Sequence, residues 1–205
     1  MPHWNLDDET RDALTELINL GVSRAAASLS ELVGERIVLQ VPNIYLYRPG
    51  DRTPPGLEEL SRAATVINQV FEGSLQGAAS LCFPADSSLA LARLLSRDRD
   101  SSIDRLDAEL SGILLEVGNI VLNGIMGSLS NSLLARLRYA MPEIRSIVRA
   151  GDELGPWDQL RSDEALIGDV RFHVSEQQIE GAILLAFSLD SLPQLLETLS
   201  VPTLA

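Results

Sequence analysis

The sequence predicts an α+β fold: a pseudo-two-fold duplication of α-β-β-β-α units forming one central antiparallel-type sheet, with two long helices packed on it. Three observations predict it. Glu16, Asn19 and Pro42 recur as Glu116, Asn119 and Pro142, each displaced by 100 residues. Glu72, Gly77, Phe83 and Asp86 recur as Glu176, Gly181, Phe187 and Asp190, each displaced by 104. Between these anchors, segments of helical apolar spacing alternate with short β-branched stretches, in the same order in both halves.

Residues about 7–33 read as a helix. Asp7 or Asp8 can cap its start, Leu6 stands where a staple residue packs, and Gly34 can end it. Leu14, Leu17, Ile18, Ala25, Leu29 and Leu32 fall at helical spacing. Arg36 to Tyr47 reads as a strand bent at Pro42, because proline cannot donate to a ladder. Residues 57–63 read as a short helix. Thr65–Glu72 and Leu75–Phe83 read as a hairpin with Gly73 in its turn. A helix from about Asp86 to Ser96, with Asp86 as its cap, closes the first half.

The second half repeats that order. A long helix is expected from about Ile103 to Arg138 and a strand from about Met141 to Arg149. Val170–Ser175 and Glu180–Ser188 form the second hairpin, and a helix from about Ser191 to Leu199 follows. The four extra residues of the second offset are expected in the turn-rich stretch Gly151–Trp157. The polar segment Arg97–Ser102 joins the halves. Three strands are marginal alone, but six paired edge to edge make one sheet. The expectation is one domain over residues 1–205, made of two repeats at about 7–97 and 103–200.

Composition excludes several classes. A hydrophobic fraction of 45% and a charged fraction of 22% suit an ordinary soluble globular chain. The net charge is −13, with 16 Lys+Arg scattered among 29 Asp+Glu. Binding to phosphate backbones needs a basic face, so nucleic acid and anionic membranes are poor partners. The single cysteine, Cys82, sits in an apolar run and reads as a buried thiol. The first nine residues lack the basic and apolar segments of a signal peptide. The longest uninterrupted apolar run, Ala182–Phe187, is too short to span a bilayer. The expected location is therefore cytoplasmic, without membrane insertion. His3 and His173 are the only histidines. No nucleophile elbow, phosphate-binding loop or metal-spaced Cys/His cluster accompanies them, so no cofactor-binding or metal site is expected.

Chemistry is expected at Glu16, Asn19, Glu116 and Asn119. Residues three apart share a helix face. Asp12, Glu16, Asn19 and Ser23 line one polar stripe of the first helix. Glu116, Asn119 and Asn123 line the second, with Gly112 one turn earlier. A lone Glu-x-x-Asn is most often a solvated helix face. Here the pair occurs twice, in register with a repeat, and a proline follows both copies after 22 intervening residues.

The pattern Asp12-x3-Glu16-x2-Asn19-x22-Pro42 resembles the signature of the CheC/CheX/FliY phosphatases, and Glu116-x2-Asn119-x22-Pro142 resembles it again. CheX-type members usually carry one site and CheC-type members two, so the resemblance points closest to CheC. FliY adds a flagellar-switch domain, for which 205 residues leave no room. Three departures stand out: Gly112 replaces the leading Asp or Ser, Ile18 replaces the glycine common before the Asn, and the usually small, glycine-rich segment that follows reads Gly21-Val22-Ser23-Arg24-Ala25-Ala26, with the bulky cation Arg24 near the site.

The resemblance implies a phosphatase that hydrolyses the phosphoaspartate of a CheY-like response regulator in chemotaxis or another two-component pathway. Asn19 and Asn119 would orient the attacking water. Glu16 and Glu116 would pair with a lysine of the regulator. It further implies that Mg²⁺ sits on the partner regulator and that a CheD-like deamidase is a possible partner. The alternative it leaves open is a non-catalytic adaptor that binds a regulator or a CheD-like protein, related to flagellar-switch proteins.

Overall fold

A computed structural model describes residues 7–48, 65–96, 106–146 and 164–191. The first helix starts where a side chain takes over an unpaired N–H: Asp7 accepts from the Thr10 N–H at 2.8 Å. Helix α1 spans Asp8–Val33 and stops at Gly34, which adopts the left-handed φ of 77°. Leu14, Leu17, Ile18, Val22, Ala25 and Leu29 are buried. The buried stripe ends one turn before the helix does, so Leu32 stays exposed.

The expected strand Arg36–Tyr47 is two strands, β1 (Ile37–Leu39) and β2 (Asn43–Tyr47), with Pro42 in the break. The hairpin follows as β3 (Thr65–Gly73) and β4 (Gly77–Phe83). Helix α2 spans Ala85–Leu95. Its N-cap position is Pro84, and Asp86 lies in the first turn, where its charge meets the positive helix end. Helix α3 spans Ala108–Ser132 and repeats the start of α1, with Asp107 accepting from the Leu110 N–H at 2.9 Å. It stops six residues before the expected Arg138. Leu133, Leu134 and Leu137 prolong the helical apolar period, but Leu134 takes a φ of 48° and Leu137–Tyr139 becomes strand β5. Pairing with β3 overrides local propensity there. Strand β6 (Glu143–Ser146) follows the break at Pro142 and starts two residues later than expected.

The last hairpin is β7 (Ala165–Val174) and β8 (Glu180–Ser188). Strand β7 begins five residues before the expected Val170. Gly168 and Asp169 disguise its start, since both are depleted in strands. A 3-10 turn covers Leu189–Ser191. Leu6, the expected 57–63 helix, the 97–102 joint, the expected start of the second helix at Ile103, the stretch Gly151–Trp157 and the remainder of the last expected helix lie outside the described residues.

The eight described strands form one antiparallel sheet in the order β1-β7-β8-β4-β3-β5, with β2 also on β7 and β6 also on β3. The hairpins meet at β4 and β8. The halves are not simply edge to edge. The strands after α1 pair with β7, and those after α3 pair with β3, so each half completes the other's sheet. The register also moves the extra residues. Phe71 lies opposite Gly77 and Phe172 opposite Gly181; the glycines stand 104 apart and the phenylalanines 101. Three of the four extra residues therefore lie in the β7–β8 turn and not in Gly151–Trp157, where they were expected. Glu176 belongs to that turn, and His173 of β7 stands where Glu72 stands on β3.

The three described α-helices share the main core with one sheet face. Helices α1 and α3 approach closely: a Cβ on Gly21 would lie 3.5 Å from Ile125 Cγ2, and one on Gly124 would lie 3.7 Å from Ala25 Cα. Helix α3 is long and apolar enough to cross a membrane by length and composition, with a mean hydropathy of 1.4. Glu116, Asn119 and Asn123 interrupt its apolar residues, so it holds no long unbroken apolar run. Its apolarity has a packing cause, because Leu114, Leu122, Ile125, Met126 and Leu129 are fully buried. The reverse sheet face carries a second cluster, including Val66, Cys82, Ile167 and Leu184. It also buries Asp169, which accepts from Asn43 Nδ2 at 3.0 Å.

Candidate functional site: two helix faces with Glu and Asn

Each Glu-x-x-Asn pair sits on a helix whose next residues point into the core. On α1, Glu16 and Asn19 are exposed, while Leu17 and Ile18 between them are buried. On α3, Glu116 is exposed, Asn119 is half-buried, and Val117 and Gly118 are buried. The fold thus presents both pairs outward and anchors each helix immediately behind its pair. No described ion pair engages Glu16 or Glu116.

Ile18 and Gly118 differ for a reason visible beneath them. Ile18 fills the space over Gly168 of β7, where a Cβ would come within 2.6 Å of Ile18 Cδ1. Gly118 makes room for Ile67 of β3, and a Cβ there would come within 2.4 Å of Ile67 Cγ2. The pairing register makes Ile67 and Gly168 counterparts. One interface places the bulk on the helix and the other places it on the strand. The glycine before the second Asn is therefore a packing requirement, and its loss before Asn19 is compensated by Gly168.

Gly112 is a second departure. A Cβ there meets nothing within 4 Å, so sterics do not enforce the missing leading side chain.

The Asn side chains differ in their surroundings. Asn119 Oδ1 accepts from Asn123 Nδ2 at 2.7 Å, and Asn123 Oδ1 accepts from Gln69 Nε2 at 2.9 Å. Gln69 Nε2 also donates to the Ala140 carbonyl at 2.9 Å. Asn19 makes no hydrogen bond with its side chain among the described residues. Exposed Ser23 stands in the place of Asn123 and buried Val170 in the place of Gln69. Pro42 and Pro142 are buried. Beside them, Val41 is 75% and Met141 84% exposed, giving each proline break an apolar residue in solvent.

Sequence reading missed Gln69, Val41, Met141 and Asp169. The available signal for Gln69 was a carboxamide inside the apolar strand Thr65–Phe71. Asp169 has company on the reverse sheet face. Burial and then the Asp169 charge and hydrogen bond push the Tyr45 hydroxyl above its usual pKa, with Arg171 opposing. A cavity of about 150 Å³ involves Cys82, Arg171, His173 and Glu180 but none of the four motif residues. Among the described residues no group of three or more His, Cys, Asp or Glu is arranged to hold a metal ion.

No family model matches the chain, and no curated protein does. Solved structures match its fold. FliY of Thermotoga maritima is 16% identical with a TM-score of 0.67, covering 96% of this chain and 98% of that one. The chemotaxis protein CheX of Desulfovibrio desulfuricans is 12% identical with a TM-score of 0.58, covering 84% and 99%. The FliM middle domain of H. pylori is 14% identical with a TM-score of 0.57, covering 94% and 99%. At these identities the likeness is one of fold.

Proposed function

We propose that this chain is a cytoplasmic response-regulator phosphatase of the two-site CheC kind, serving chemotaxis or a related two-component pathway. The observation that carries the reading is the Glu-x-x-Asn pair, present on an outward face of both α1 and α3. The fold shared with CheX and FliY chains supports it. We further read the chain as two repeats in one domain. The paired caps at Asp7 and Asp107 and the reciprocal strand exchange support that reading.

Hydrolysis of a phosphoaspartate joins a water oxygen to phosphorus and breaks the bond to the aspartyl oxygen. The products are inorganic phosphate and a free carboxylate. The acyl phosphate is already activated, so positioning and charge neutralisation supply the catalysis. The regulator brings its own Mg²⁺ and a phosphate-contacting lysine. Asn19 or Asn119 enters with a carboxamide, which both donates and accepts and so holds a water without acting as a base. Glu16 or Glu116 closes on the regulator's lysine and sets the docking register, a pair that strengthens as water leaves the interface. Val41 and Met141, exposed at the two proline breaks, offer apolar surface to a docking regulator. A CheD-like deamidase remains a candidate partner.

The direct test is Asn19→Ala combined with Asn119→Ala. Acceleration of regulator dephosphorylation should vanish while the thermal unfolding transition is kept. Full activity in the double variant would sink the proposal. A second reading is favoured by the likeness to the FliM middle domain: the chain would be an adaptor that binds a regulator without turnover. An effect that scales with stoichiometric, not catalytic, amounts of protein would select it.

A further inference from the structure

Asn119 is the end of a chain of three carboxamides whose direction is fixed from the other end. A backbone carbonyl accepts and never donates. The Ala140 carbonyl therefore requires the NH₂ of Gln69, not its oxygen. The second N–H of that group takes Asn123 Oδ1, which leaves Asn123 its NH₂ to give to Asn119 Oδ1. The oxygen and nitrogen of a carboxamide are nearly the same shape, so such a network is what assigns them. Asn119 consequently accepts on the inward side and points its own NH₂ outward.

The anchor is rigid. Ala140 sits between β5 and β6, and its N–H bonds to the Val70 carbonyl at 3.0 Å. The strand break that ends at buried Pro142 leaves the Ala140 carbonyl to Gln69 and not to a ladder partner. Gln69 keeps this orientation although its Oε1 is buried with no hydrogen-bond partner. A buried acceptor left unpaired is disfavoured, and flipping Gln69 would set two acceptors against each other at Ala140. Among the described residues nothing comparable reaches Asn19, where Ser23 and Val170 occupy the equivalent places.

We propose that Gln69 and Asn123 are positioning residues that hold the Asn119 NH₂ outward, so that the α3 site is preorganised and the faster of the two. This rests on the phosphatase reading of the site. Asn19 must be ordered only when a regulator docks. Immobilising one such side chain corresponds to about three- to tenfold in rate.

The experiment uses the full chain with the α1 site silenced by Asn19→Ala and phosphorylated CheY as the probe. Asn123→Asp keeps the shape and still accepts from Gln69. It cannot donate, so Asn119 must turn its NH₂ inward and its oxygen outward. The expected result is a kcat three- to tenfold lower with KM within about twofold. Asn123→Ala, which releases Asn119, should give a similar loss. Unfolding midpoints measured on the same samples separate these effects from damage to the fold. In the free wild-type protein, hydrogen exchange of side-chain amides followed by NMR should show Asn123 and Gln69 protected and Asn19 fast.

The proposal is overturned if Asn123→Asp keeps the parent kcat, or if the Asn123 amide exchanges as fast as that of Asn19. It is also overturned if Asn119→Ala costs less activity than Asn19→Ala. If the exchange pattern holds but the wild type gives no turnover, the phosphatase reading itself falls and the positioning role falls with it.

Discussion

The interface behind Asn19 and the interface behind Asn119 solve one packing problem in opposite ways. Behind Asn19 the helix contributes the isoleucine and the strand the glycine; behind Asn119 the roles are exchanged. Close packing constrains the summed volume of a contact more tightly than either partner. A motif position can therefore change its residue completely while the polar residue beside it keeps its place. The polar side is where the two regions part: Asn119 is held by Asn123, and among the described residues Asn19 has no such support.

That comparison breaks most visibly at Gly118. Its Cβ would press on Ile67 Cγ2 and Cβ, which a stiff β-branched side chain on a central strand cannot withdraw. Gly118→Ala should destabilise the fold by about 1–3 kcal/mol, measured by chemical denaturation. Adding Ile67→Ala should leave the double variant more stable than the sum of the two single effects. Additive effects would mean the two residues are not coupled.

Gly168→Ala is the mirror test and should cost less, about 1 kcal/mol. The atom it meets is the Cδ1 end of Ile18, which can rotate away more easily. Equal costs at the two glycines would remove the inverted-packing account. Gly112→Ser fills open space on the exposed side of α3. It should raise helix stability by about 0.5 kcal/mol and leave the fold unchanged, visible as a small rise in the thermal midpoint.

The smallest effect concerns the helix starts. Hydrogen bonds from the Thr10 side chain and then its backbone hold the Asp7 carboxyl below its ordinary value of 3.8. Its folded-state pKa lies below its unfolded one. The contribution is therefore complete above the unfolded value and lost as pH falls through the folded one. Asp7→Asn should flatten the decline of stability with acidification from about pH 5 downward. An unchanged pH profile would remove the cap from the account.

How much of this was legible beforehand varied with the range of the interaction. Local signals placed α1 well, because Asp7 and Gly34 are capping residues and the apolar period is regular. They failed at the end of α3, where Leu133, Leu134 and Leu137 continue the helical period but β3 claims the chain. The exchange of first strands between halves depends on long-range pairing and left no local mark. The four motif residues were legible because spacing repeats along the chain. Gln69 was not, because its partners lie 54 and 71 residues away. The Ile18 departure looked like a loss in the sequence. It becomes a compensated exchange only once Gly168 is seen beneath it.

The most direct measurement is phosphate release from phosphorylated CheY with the protein at catalytic, substoichiometric concentration. Wild type, Asn19→Ala and Asn119→Ala would be compared in the same assay. The account predicts many turnovers by the wild type, a small loss with Asn19→Ala and a larger loss with Asn119→Ala. No turnover beyond one phosphate per chain, or no response to either substitution, would contradict it.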